Sequence, residues 1–291
     1  MRLPPLHSLT HGNSAYWAAF SAKGDRLATA SLDNTVKLWN VADGRHLATL
    51  NGHGDGVAFV GYLADGRIVT ASLDKSLKVW PAEGGDPLGT MPGHAEYLTC
   101  AAISGSRIAS GGFDRTVRLW DADTFAAAGL LWGHDTVIQT VALSGDGKWA
   151  ASGGDDQTVR LWNLATRRQV VTLAGHQRAV EGVAFSPDDQ SLASVGGDGS
   201  LKLWNLQGEL LASLETPAVR LKSVVYSPDG RWIATGGADG VLRLWDHAAR
   251  KLELSQPAHR NTIYGVTFSP DGKLLATSGF DRTIRVWDAQ G

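Results

Sequence analysis

The chain has one cysteine, Cys100, in 291 residues, two methionines, and no run approaching the roughly 18 apolar residues of a membrane-spanning helix. A lone thiol excludes an internal disulfide and a cysteine-based metal cluster, so Cys100 is expected to be a small core residue. Charge of one sign is also scarce. Lys and Arg total 27 against 29 Asp and Glu, the net charge is −2, and no basic run occurs. Nucleic acid is therefore not an expected partner, since it requires a basic footprint. The N-terminal Met1-Arg2-Leu3-Pro4-Pro5-Leu6-His7 holds no apolar core of a secretory signal, so the expectation is a cytoplasmic protein with no membrane partner. No segment offers a helical period. Glycine, in contrast, is plentiful at 35 residues, which suits a chain of many tight turns.

One pattern is written seven times: Ser or Thr, three residues, Asp, five residues, Trp. It reads Thr29-Asp33-Trp39, Thr70-Asp74-Trp80, Ser110-Asp114-Trp120, Ser152-Asp156-Trp162, Ser194-Asp198-Trp204, Thr235-Asp239-Trp245 and Thr277-Asp281-Trp287. Successive Trp residues stand 41, 40, 42, 42, 41 and 42 positions apart. That period is the signature of a four-stranded blade repeated around an axis. The expected fold is all-β: one domain spanning residues 1–291, a seven-bladed β-propeller of four-stranded antiparallel blades. Within the fifth repeat, strands are expected at 179–186, 191–195, 200–204 and 209–214, with Pro, Gly and Asp turns between them. Trp149 and Trp232 share a column of the second strand and are expected to pack between blades, whereas Trp17 falls in an inner strand. After Trp287 the last repeat is one strand short, while residues 6–11 align with the fourth-strand sequence of residues 47–53. An N-terminal strand is therefore expected to complete the last blade, closing the ring and removing two exposed edges.

A basic residue stands two places before each Trp: Lys37, Lys78, Arg118, Arg160, Lys202, Arg243 and Arg285. Recurrence at a framework position points to a structural ring whose stems cover apolar surface. A further column precedes these: Gly52-His53, Gly93-His94, Gly133-His134 and Gly175-His176, with the variants Thr10-His11 and Ala258-His259. Trp-Asp closes the repeat at Trp120-Asp121, Trp245-Asp246 and Trp287-Asp288. With Gly-His, Ser or Thr, Asp and Trp-Asp in phase over nearly the whole chain, the sequence resembles the WD40-repeat family of β-propellers. The resemblance implies that each Trp indole donates to the Ser or Thr hydroxyl, which bonds to His, which bonds to Asp. A triad of hydrolytic type would be singular and exposed, with an oxyanion hole; this constellation recurs around the ring, so no catalytic role is expected. Nor can histidines on different blades converge on one metal ion, and His7, His46 and His247 form no ligand spacing. No metal and no cofactor is expected. The sixth repeat has Pro217 at the histidine position, so its network should lack a link, with Leu214-Glu215-Thr216 as a soft spot and Asp239 less critical than Asp156.

Function has to be sought where the repeats differ. Three positions lie, by analogy with the family, on the face used most often for partners. The residue before Asp is Leu32, Leu73, Phe113, Asp155, Gly197, Ala238 or Phe280. The residue five after His is Tyr16, Ala58, Thr99, Gln139, Glu181, Lys222 or Tyr264, and the residue three after His includes Tyr97 and Arg220. Blades seven, one, two and three thus supply Tyr16, Leu32, Leu73, Tyr97, Phe113, Tyr264 and Phe280, an apolar arc beside the charged blades four to six. An exposed apolar arc rimmed by charge is expected to be an interface for a protein or peptide. Two other readings are an enzyme or small-ligand propeller using the channel, and a methylated-lysine reader built on Tyr16, Tyr264 and Phe280.

Overall fold

Short β-prone runs broken by Gly, Asp and Pro permit hairpins and little else. The computed structural model describes residues 4–216 and 219–289, and among them are 28 strands and no helix. They pair as seven four-stranded sheets. The first strand, β1 (His7–Thr10), stands apart from its sequence neighbours. Blade one runs outward from the axis as β2 (Ala15–Phe20), β3 (Arg26–Ser31), β4 (Val36–Asn40) and β5 (His46–Leu50), all antiparallel. In blade five the strands are Val180–Phe185, Ser191–Gly196, Ser200–Asn205 and Leu210–Glu215, each within a residue or so of its expected bounds. Blade seven consists of Ile263–Phe268, Leu274–Gly279 and Thr283–Asp288 with β1 as its outer strand, His7 facing Val286 and Thr10 facing Thr283. The ring closes as expected, with the two ends of the chain in one sheet.

The hydrophobic core lies between blades, because each sheet is apolar on both faces. Leu9, Ala15, Leu27 and Trp39 pack against Ala276, Ile284 and Val286 across the closure. Trp149 and Trp232 pack against the clusters joining blades four to five and six to seven. Cys100 is not fully enclosed: it lies half-buried on an inner strand beside the channel, where burial pushes its thiol up to about 12.

The repeated polar residues form one chain of bonds per blade. His11, His53, His94, His134, His176 and His259 place Nδ1 2.7–3.0 Å from Asp33, Asp74, Asp114, Asp156, Asp198 and Asp281. Their Nε2 atoms lie 2.6–2.8 Å from the hydroxyls of Thr29, Thr70, Ser110, Ser152, Ser194 and Thr277. Each hydroxyl also accepts the indole N–H of Trp39, Trp80, Trp120, Trp162, Trp204 or Trp287 at 2.8–3.0 Å. All of these hydroxyl residues are fully buried, so the network ties strands together and presents no nucleophile.

In blade six the expected gap is present, since no bond joins Thr235 to Asp239 or to Arg243 among the described residues, but the carboxylate has found another partner. Pro217 lies outside the described residues, yet Asp239 is not left alone: the Arg243 Nη2 donates to its Oδ2 at 2.5 Å and Nη1 to its Oδ1 at 3.2 Å. Arg243 Nη1 also fills the space above Gly237, as His259 Nδ1 fills it above Gly279 and His176 Nδ1 above Gly196. The guanidinium stands in for the imidazole toward Asp239, while Trp245 still donates to Thr235 at 3.0 Å. The basic column therefore does more than cover apolar surface. Arg160 and Arg285 also approach their blade Asp, at 3.4 and 3.5 Å, and Lys37 and Lys202 donate to Thr10 O and Ser213 Oγ. The expected soft spot is tied down as well: Leu214 and Glu215 belong to the outer strand, and Thr216 is buried with its N and Oγ1 both donating to Gly199 O.

Two local devices recur in every blade. The residue after each network Asp is left-handed: Asn34, Lys75, Arg115, Gln157, Gly199, Gly240 and Arg282 have φ between 65° and 79°. The Asp carboxylate holds that turn, as Asp33 Oδ1 accepts from Thr35 N at 3.1 Å and Thr35 Oγ1 at 2.6 Å. The second device is a register shift in each inner strand, and it sits at Tyr16, Ala58, Thr99, Gln139, Glu181, Lys222 and Tyr264. One of the variable columns thus consists of bulged residues, released from the ladder and re-aimed.

Candidate interaction face at the channel mouth

The inner strands of all seven blades enclose a channel of about 880 Å³. Its wall is largely apolar, with Trp17 tilted against Phe59 at 6.0 Å between ring centroids. The bulged residues of all seven blades, Tyr16, Ala58, Thr99, Gln139, Glu181, Lys222 and Tyr264, line it. Because the strand pleat alternates, only an extra residue in the strand can turn these side chains out of the inter-blade core and into the mouth.

The apolar arc resolves into three separate clusters. Tyr16 stacks on Tyr264 at 4.4 Å and 16°, and Tyr264 meets Phe280 at 6.4 Å. Phe280 remains 50% exposed. Burial, with the neighbouring Tyr264 and Glu181, pushes the Tyr16 phenol up to about 12, and burial raises Tyr264 as well, so both are O–H donors at neutral pH. The stacked rings cover one another and leave no gap for a cation between them. Leu32 and Leu73 are half-buried and converge over Gly56, where a side chain would meet Leu32 Cδ2 at 2.6 Å. Both close on the space above that glycine and leave only part of their surface outward.

Tyr97 and Phe113 form the third cluster, edge to face at 6.0 Å, and they are 46% and 47% exposed. Phe113 borders both the channel and a second cleft of about 600 Å³ between blades three and four, lined by Glu96, Asp114, Arg115, Trp132 and Asp135. Trp132 is 70% exposed, more than any other large apolar residue among those described. It was not among the arc residues expected from the sequence. A signal was present: the residue before Gly-His is Asn51, Pro92, Trp132 or Ala174, and only one of these is aromatic.

Blades four to six bring charge and polarity to the mouth. Glu181, with a side chain only 2% exposed, accepts from Arg220 Nε at 2.5 Å, from Arg220 Nη2, and from Lys222 Nζ at 2.6 Å. Gln139 donates to Asp155 at 3.0 Å. The triplet joins blade five to blade six and the pair lies within blade four, contacts that separation in sequence does not announce.

The family model described as the IFT122 first beta-propeller matches residues 105–291, and that described as WD domain, G-beta repeat matches residues 3–40, 44–81 and 85–121. No curated protein matches the chain.

Proposed function

The chain belongs to the WD40-repeat β-propeller family, whose propellers generally mediate protein–protein interactions, and we propose that it is a non-catalytic scaffold holding an extended segment of a protein or peptide partner across the channel mouth. The observation that carries this reading is the exposure of Phe280, packed on Tyr264 at the mouth, of Tyr97 and Phe113 on the wall across blade three, and of Trp132 in the cleft that Phe113 also borders. Aromatic side chains dominate interface energetics, and rings left exposed on a rigid frame need little rearrangement to bind. The Ser, His and Asp residues that could suggest hydrolysis are consumed by the framework. A cytoplasmic location is part of the same proposal.

The test is quantitative affinity capture with the wild-type ring and a Phe113→Ala, Trp132→Ala variant of unchanged melting temperature. Loss of two such rings is expected to reduce recovery of the specific partner tenfold or more, since hot-spot truncations cost about 2 kcal/mol or more each. A set of captured proteins indifferent to the change would remove this face as the interface.

A further inference from the structure

Resting on that reading, we infer that the channel mouth selects partners by one acidic side chain, an aspartate or glutamate in the middle of the bound segment. Glu181, Arg220 and Lys222 form a triplet with two cations and one carboxylate. Both oxygens of Glu181 are occupied, and its side chain is almost wholly buried, so it anchors the cations and is not itself presented. Arg220, in contrast, is 52% exposed, and its Nη1 has no partner among the described residues. Lys222 uses one N–H on Glu181 and lines the channel. Tyr264 and Tyr16, the bulged residues of blades seven and one, add phenol donors to the wall of the same channel. The groups left to bind a ligand are donors, and the triplet carries one excess positive charge.

Charge and position together name the ligand. A single excess charge is matched by a carboxylate, whereas a phosphate monoester carries about −1.5 to −2 and would remain under-compensated. The exposed aromatic clusters flank the mouth on blade seven and on blades three and four. A segment that touches both must cross the mouth rather than end in it, so the carboxylate comes from a side chain and not from a chain terminus. Asp155 on blade four is held by Gln139 and does not line the channel, so it leaves the donor set open.

A display library of random peptides with blocked termini, one half bearing phosphoserine, tests this directly on the folded ring. Wild type is expected to enrich peptides with one fixed Asp or Glu, preferred over Asn or Gln by roughly tenfold or more, as a charge-assisted bond implies. Lys222→Met cancels the excess charge and should abolish that preference. Glu181→Gln with Lys222→Met restores one excess charge through Arg220 and should recover it, a rescue that a merely structural role would not produce. Enriched peptides lacking an acidic position, a preference for phosphoserine or a free C-terminus, or a preference unchanged in Lys222→Met would overturn the inference and leave the scaffold reading standing. Failure to enrich any peptide would overturn both.

Discussion

At the scale of single residues, the network shows how much of a fold rests on which partner a charge finds. From sequence, Asp239 stands in the one blade without histidine and should matter less than Asp156; in the structure Arg243 holds it with both Nη atoms. Asp239→Ala would leave a guanidinium with a 10% exposed side chain and no carboxylate. The expected cost is about 1–3 kcal/mol, kept moderate by the solvent-exposed edge of the pair, and comparable to that of Asp156→Ala. Thermal melting of both variants checks this, and a clearly smaller loss for Asp239→Ala would restore the sequence-based expectation. Acid should expose the other blades. Burial, despite the facing Asp33 and Asp198, lowers His11 and His176 below the usual range, so the unfolded chain binds these protons first and stability falls as pH drops below about 6.5. Burial alone would raise Asp33 and Asp156, yet bonds from Thr35, His11, His134 and Thr158 hold both at about 2. Their stabilisation is complete above the unfolded value near 4 and is lost as pH falls through 2. Melting temperature measured from pH 8 to 3 should be flat at first, then fall in two stages; constancy down to pH 4 would contradict the histidine assignment.

At the scale of the element, the turn after each network Asp was legible as a turn, but not as a left-handed one in all seven blades. Five blades place a side chain there, because the Asp carboxylate pays for the strain with two or more bonds. Gly240 is different: a Cβ would meet His259 O at 2.3 Å, so both the conformation and the space demand glycine. Gly240→Ala is expected to cost roughly 1–3 kcal/mol, while Arg282→Gly stays within about 1 kcal/mol of wild type, measured by denaturant unfolding. Equal losses would mean that packing against His259 O is unimportant. The inner-strand bulge was not legible. Its residues differ in every blade, from Ala58 to Tyr264, and no side-chain type marks the place where the ladder slips. It shows in the sequence only indirectly, as a column of variation, because residues outside the ladder are free of its packing constraints.

At the scale of the molecule, the ring is held shut by β1, which covers the edge of Thr283–Asp288 and buries Leu9 in the core between blades seven and one. Deleting residues 1–10 removes that ladder and that side chain, a loss of about 5 kcal/mol, and uncovers an edge prone to pairing with other chains. A strongly lowered melting temperature with aggregation is expected, and an unchanged one would show that closure is not limiting. The sequence by itself determined the blade number, the strand order, the closing strand and the partners in six polar networks. The first three follow from a period and from residue types repeated in register, which are local and self-reporting, and the network partners from the family resemblance that those repeats carry. Only the tertiary structure decided that Arg243 holds Asp239 where the imidazole is missing, that Leu32 and Leu73 close on Gly56, that Trp132 stays exposed, and that Glu181 gathers Arg220 and Lys222. The reason is physical: each of these depends on the distance between side chains of neighbouring turns or blades, and closing the ring sets those distances after the repeat has done its work.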